Sequence, residues 1–224
     1  MLKAQLHTHV KGDLLDKIPY SPKDLIKKAA QLNYEILSIT CHKKIIFNKE
    51  LKRFAKKLNI LLIPGIELEI DKKHILLINA TKSAEKINSF EKLKTYKKNH
   101  PNSLIVAPHP FFPGRVSLKK ALTEHIKLFD AIEYSHCYTK TKNYNTPSVA
   151  LAKTHSLPLI ATSDCHFLPN LDTAYTLINS QKNTNSIIKA IKQNSITLHH
   201  SPTTYSKIAK NLCGQILRNT LHKR

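Results

Sequence analysis

The sequence predicts an α/β fold, a parallel barrel or failing that an open doubly wound sheet. Three observations carry this. The chain has 224 residues, 41% of them apolar, which suits one substantial core and a single domain over 1–224. Short apolar runs alternate with amphipathic stretches along its length. Histidines and acids gather where the apolar runs end.

The runs read as strands are AQLH (4–7), EILSIT (35–40), NILLIPGIE (59–67), HILLIN (74–79), SLIVAPH (103–109), DAIEYS (130–135), LPLIATSD (157–164) and SITLHH (195–200). Several are continuously apolar and rich in Ile, Leu and Val, as expected of parallel strands covered on both faces. Helical patterns lie between them. SPKDLIKKAAQLN has Ser21 as N-cap and Pro22 at the first helical position, with Leu25, Ile26, Ala29 and Leu32 on one stripe. NKELKRFAKKLN, SAEKINSFEKLKTYKKN, SLKKALTEHIKLF and NTNSIIKAIKQN behave alike, and a basic helix is expected over about 200–224. Glycine is scarce and no phosphate-cradling GxGxxG or P-loop occurs.

No apolar run approaches the ~20 residues of a membrane span. MLKAQLHTH lacks an apolar signal region, so a cytoplasmic protein without membrane contact is expected. Cys41, Cys137, Cys165 and Cys213 form no CxxC pair, and reduced thiols follow. Cys41 and Cys165 are expected to pack as small apolar groups. The net charge is +21, and no acidic residue follows Asp172. Such a field attracts polyanions, although a Lys-rich composition that merely solvates helix faces gives the same number.

The chemistry sits at predicted strand ends. His7 and His9 close the first strand, and His42 follows the second. Glu67, His109, Glu133 with His136, and Asp164 with His166 end later ones. His74 is the exception, because it begins its strand. In a parallel barrel these ends converge on one mouth. Extended chain alternates with period two, so His7 and His9 share a face while Thr8 points away, and Asp164 and His166 share a face while Cys165 points away. Imidazole with carboxylate suits Zn, Mn or Fe(II), and such a site orients phosphate and activates water.

HTH at 7–9, SITCH at 38–42, GIE at 65–67, APHP at 107–110, AIE at 131–133 and TSDCH at 162–166 together resemble the PHP family, the polymerase and histidinol phosphatase superfamily. The resemblance implies a distorted, TIM-like (β/α)7 barrel with two or three divalent metals at the C-terminal ends of the strands, and phosphoester hydrolysis. It implies His7, His9, Glu67 and Asp164 around one metal, and Glu67 bridging to a second held by His109 and His74. His42 and His166 would serve a third, with Asp13, or alternatively Asp16, beside them. Two departures stand out. The second motif reads Thr40-Cys41-His42 where the family has Thr-Asp-His, and VKGDLLD replaces a Ser-Asp-Gly continuation. Glu133 and His136 are expected in structural or supporting roles.

The expected function is metal-dependent hydrolysis of a phosphomonoester, or of the end of a nucleotide or oligonucleotide. Water activated by the metals would attack phosphorus, and His42 or His166 would supply the leaving-group proton. Arg115, Lys43 and His136 are the candidates to hold substrate, Arg115 because its planar fork suits phosphate. Lys11, Lys43, Lys44, Arg115, Lys140 and Lys142 around the mouth suggest a long anion. Tyr134, Tyr138 and Tyr144 are either base-stacking platforms or, as favoured, half-buried packing residues. The second reading is a noncatalytic RNA-binding ribonucleoprotein subunit on the same barrel, which the retained ligand set disfavours. A histidinol-phosphate phosphatase is a third.

Overall fold

The computed structural model describes residues 1–207 and 209. The basic helix expected over about 200–224 starts later than expected: residue 200 still belongs to a strand, 201–204 are irregular, and 205–207 and 209 are helical, while the rest of it, Cys213 included, lies outside the described residues. The strands are β1 (Leu2–Gln5), β2 (Ile36–Ile39), β3 (Leu61–Ile70), β4 (Lys73–Ile78), β5 (Leu104–Ala107), β6 (Ala131–Ser135), β7 (Leu159–Thr162), β8 (Ala174–Ile178) and β9 (Ile196–His200). The helices are α1 (Pro22–Gln31), α2 (Lys49–Lys57), α3 (Phe90–Asn99), α4 (Lys120–Glu124), α5 (Thr146–Thr154) and α6 (Thr184–Lys192). Among the described residues no helix is long and apolar enough to cross a membrane.

The strands form one nine-stranded sheet in the order β7-β6-β5-β4-β3-β2-β1-β8-β9, rolled into a nearly closed barrel. Closure comes at the mouth. Thr8 bridges Cys165 in parallel, with His9 N donating to Cys165 O at 3.1 Å and Cys165 N to His7 O at 3.2 Å. Lower down, β8 stands beside β7 through Thr176, whose hydroxyl bonds both backbone groups of Ala161.

The expectation of parallel strands throughout needs correction. β4 runs antiparallel to both β3 and β5, and β8 and β9 are antiparallel additions. A two-residue turn, Asp71-Lys72, joins β3 to β4, with φ of +51° and +61°, as a tight hairpin requires. A buried antiparallel strand and a buried parallel one are equally apolar, so composition alone did not reveal the reversal. The sequence reading also passed over β8, whose short, half-exposed pattern is diluted by Tyr175 and Thr176, and over α5, which opens at Thr146-Pro147.

Ser21 caps α1 as expected. Its hydroxyl accepts from Asp24 N, and its own N–H donates to the Asp24 carboxylate at 3.0 Å. Helices α1 and α2 cover β2 through Leu25, Ile26, Leu51 and Ala55. Cys41 and Cys165 are fully buried in that same apolar cluster.

Ile36, Ile63, Leu76, Val106, Ala131 and Ile160, one from each of β2 to β7, belong to a single buried cluster. Strand alternation carries this layer to the mouth. Two residues at a time, it leads through Ser38 and Thr40 to His42, through Gly65 to Glu67, from Leu76 back to His74, to Glu133, and through Thr162 to Asp164. Gly65 is where β3 stops pairing with β2 and starts pairing with β4. A Cβ there would collide with Ser38 Oγ and stand 2.6 Å from Thr40 Cγ2. Glycine therefore lets β3 press against β2, and beyond it His42 and Glu67 form a parallel bridge.

Candidate metal centre

Four donor atoms from distant parts of the chain converge. His7 Nε2 lies 3.3 Å from Glu67 Oε2 and 3.2 Å from Asp164 Oδ1. His9 Nε2 lies 3.4 Å and 3.1 Å from the same two oxygens. Ligands 2.0–2.1 Å from a tetrahedral ion stand about 3.3 Å apart. His7 Nε2, His9 Nε2, Asp164 Oδ1 and Glu67 Oε1 are buried without any hydrogen-bond partner, which a folded protein tolerates only where something else satisfies them. The donor set fits a divalent cation in charge, spacing and chemistry.

Glu67 faces two ways. Its Oε2 meets His7, His9 and, at 3.0 Å, His42 Nε2. Its Oε1 meets His74 Nδ1 at 2.9 Å and His109 Nε2 at 3.4 Å. The antiparallel course of β4 explains His74, since the start of that strand lies at the mouth where the other strands end. His109 breaks the alternation of β5 and reaches the site through a left-handed backbone at φ +30°. Asp164 is left-handed too, at φ +42°. Such conformations cost on the order of 1–3 kcal/mol and cluster at functional sites.

Carboxylates behind the imidazoles fix their orientation. Glu133 accepts from His7 Nδ1 at 2.9 Å, from Thr162 Oγ1, and from His109 N at 2.6 Å. Asp13 accepts from His9 Nδ1 at 2.8 Å, His42 Nδ1 at 3.0 Å and His42 N at 2.9 Å. With a carboxylate on Nδ1, each ring turns its Nε2 lone pair inward. Asp13 supplies the orienting acid that Cys41 does not, while the Cys41 thiol accepts from Val10 N at 3.3 Å. Asp16, three residues further on, reaches His166 Nε2 at 3.0 Å and His42 Nδ1 at 3.7 Å.

The ionisation states follow from this packing. Burial works against charging His7, but Asp164, Glu67 and Glu133 raise its pKa well above an ordinary imidazole. Burial would push the Glu67 carboxyl up, yet His74, His42 and His7 hold it well below the usual range. Asp164 behaves in the same way, with burial overcome by His7 and His166. His42, despite burial, rises to about 11 beside Glu67 and Asp13. Without cations, imidazolium and carboxylate charges compensate one another. A bound cation would take over that compensation, with release of protons.

His42, Glu67, His74, His109, Asp164 and His166 floor a cleft of about 290 Å³ whose walls include Phe112, Val116, His136, Phe167, Thr203 and Lys207. His136 lines the cleft as expected, and burial keeps its pKa below the ordinary value. The Cys137 thiol beside it is pushed up to about 12 by burial. Arg115 and Lys43 are not among the lining residues. Arg115 is exposed, and Lys43 pairs with Glu69 at 2.8 Å. Tyr134 stacks on His200, Tyr138 bonds the same ring at 2.7 Å, and Tyr144 packs edge-on against Phe112. Each of the three tyrosines thus has a packing partner within the fold. The sequence reading missed Phe112, Phe167, Thr203 and Lys207. Only the charge asymmetry of the tail pointed towards the last of these.

Over 96% of this chain and 69% of the other, the fold superposes on a two-domain protein from Bacteroides vulgatus described as containing a predicted PHP-like metal-dependent phosphoesterase, with a TM-score of 0.71 and 16% identity. The chain has a PHP-like barrel. Residues 142–196 of that barrel match the family model described as PHP-associated, which bears out the resemblance seen in the motifs. The PHP-like barrel also matches the lesion-specific endonuclease PfuEndoQ from Pyrococcus furiosus, with a TM-score of 0.63 and 16% identity over 93% of this chain and 65% of that one. An uncharacterized protein of Methanocaldococcus jannaschii is 26% identical over 163 residues, which span 68% of this chain and 91% of its own.

Proposed function

We propose that this protein is a metal-dependent phosphoesterase acting on a phosphomonoester or on the end of a nucleotide or oligonucleotide. The observation that carries the reading is the convergence of His7 Nε2 and His9 Nε2 on Glu67 Oε2 and Asp164 Oδ1 within 3.1–3.4 Å, with both imidazole nitrogens and the Asp164 oxygen buried and unsatisfied, beside an open cleft that Glu67 and Asp164 line. His7, His9, Glu67 and Asp164 would hold one cation, Glu67 with His74 and His109 a second, and His42 and His166, with Asp16 beside them, a third. Asp13 and Glu133 orient the histidines in front of them.

Divalent ions at these positions supply a Lewis acid that neutralises phosphate charge and lowers the pKa of water towards about 7. The protein does the rest. Buried carboxylates and left-handed turns hold the donors in place. Both ring nitrogens of His42 and of His166 already face protein groups. His42 or His166 would supply the leaving-group proton, and His136, whose pKa burial lowers, would contact substrate as a neutral imidazole. Among the described residues His136 is the cleft histidine with no carboxylate within salt-bridge distance, its Nε2 lying 3.2 Å from Cys137 Sγ. Phe112 and Phe167 give the cleft an apolar side that suits a nucleobase or an aromatic leaving group.

Elemental analysis of the purified protein, followed by p-nitrophenyl phosphate hydrolysis with and without chelator, tests the reading. Two or three bound Zn, Mn or Fe per chain and chelator-sensitive turnover are expected. Turnover by metal-free protein refutes the mechanism. A metal-free, inactive protein that binds RNA tightly supports the noncatalytic alternative instead.

A further inference from the structure

The basic loops expected to meet substrate do not reach the cleft, yet one cation does. Among the described residues, Lys207 is the lysine or arginine that lines it. It arrives on the segment that follows β9, and that segment is tied down. His200 Nδ1 meets Tyr138 OH at 2.7 Å, Thr203 N donates to Tyr138 O at 2.8 Å, and Tyr205 OH meets Thr141 Oγ1 at 2.7 Å. Lys207 N then donates to Thr204 Oγ1 at 3.3 Å, starting a helical turn. All three ties fasten the segment to the loop after β6, the loop that carries His136 and Cys137. Residues 200–207 thus form a strap along one wall of the cleft, with Thr203 and Lys207 on the inside.

We propose that Lys207 is a substrate-positioning residue whose ammonium binds the phosphate of the phosphoester lying over the metal centre. The inference rests on the phosphoesterase reading and adds what that reading lacks. The floor holds histidines and acids, Asp16, Glu67 and Asp164 among them. An anionic substrate therefore needs a positive wall as well as cations beneath it. A lysine fits here because it acts as a point charge that follows phosphate oxygens from a flexible stem. The three ties anchor the segment, the bond to Thr204 Oγ1 holds the Lys207 backbone, and its side chain is exposed.

The test uses the full-length, metal-loaded protein with inorganic phosphate as probe, read by calorimetry, beside p-nitrophenyl phosphate kinetics. A hydrogen bond to a charged partner contributes enough that Lys207→Ala should weaken phosphate binding about tenfold. The kinetic loss should fall on KM rather than kcat, because the residue touches no reacting bond. Lys207→Arg should restore most of the affinity, and metal content should match wild type in both variants. Wild-type phosphate affinity in Lys207→Ala overturns this proposal while leaving the phosphoesterase reading intact. If the metal-loaded wild type binds no phosphate at all, both fall together.

Discussion

Glu67→Gln is expected to lower kcat/KM for a phosphoester by at least about 10³-fold, since several kcal/mol of transition-state charge stabilisation are at stake. One carboxylate faces five imidazoles, His7, His9 and His42 through Oε2 and His74 and His109 through Oε1. An amide offers one oxygen and turns an NH2 group towards nitrogen lone pairs on the other side. The cations on both sides of Glu67 then lose a ligand at once, so metal content should fall together with rate. The check is elemental analysis of the variant beside its p-nitrophenyl phosphate kinetics. Wild-type metal content with wild-type turnover would remove Glu67 from the centre of the site.

Gly65→Ala should destabilise the fold by about 1–3 kcal/mol, as overpacking of a well-filled interior does. The added methyl would meet Ser38 Oγ and Thr40 Cγ2, two short side chains on a buried strand. Ser38 Oγ is already committed to Ile63 O at 3.0 Å, and Thr40 Oγ1 both accepts from Thr8 N and bonds Thr8 O. Neither can swing aside without breaking a buried hydrogen bond. Thermal melting of the metal-free protein, followed by circular dichroism, should show a midpoint several degrees lower. An unchanged midpoint would mean that β2 and β3 separate there at no cost. Because Gly65 stands two residues before Glu67, hydrolysis should decline as well.

Much of the site was legible because ligand-type side chains obey strand alternation. His7 with His9, His42, Glu67 and Asp164 could be placed on one mouth from period two and the ends of apolar runs. His74 looked anomalous only because the direction of β4 is not written in its composition; once that strand is reversed, its first residue and the last residues of its neighbours coincide. His109 was visible as a histidine at a strand end, but the left-handed backbone that aims it is a property of the folded turn. Asp13 and Asp16 could not be separated by spacing. The loop gives the nearer acid to the Nδ1 atoms of His9 and His42, and the farther one to His166. The cleft walls were least legible. Arg115 and Lys43 were reasonable from position in the chain, yet Lys43 finds Glu69 first. The cation that does line the cleft comes from beyond β9, where no motif marks it.

The barrel's closure at Thr8 and Cys165 has a thermodynamic corollary. His7 and His9 flank that bridge on one side, Asp164 and His166 on the other. A cation gripped from both sides is a rivet through the joint, so ligand binding and resistance to unfolding draw on the same contacts. By mass action, metal at about 100 times its dissociation constant adds about 2.7 kcal/mol to the folded state. Scanning calorimetry should therefore show the melting temperature climbing with free metal. A melting temperature indifferent to metal would mean that the joint holds without it.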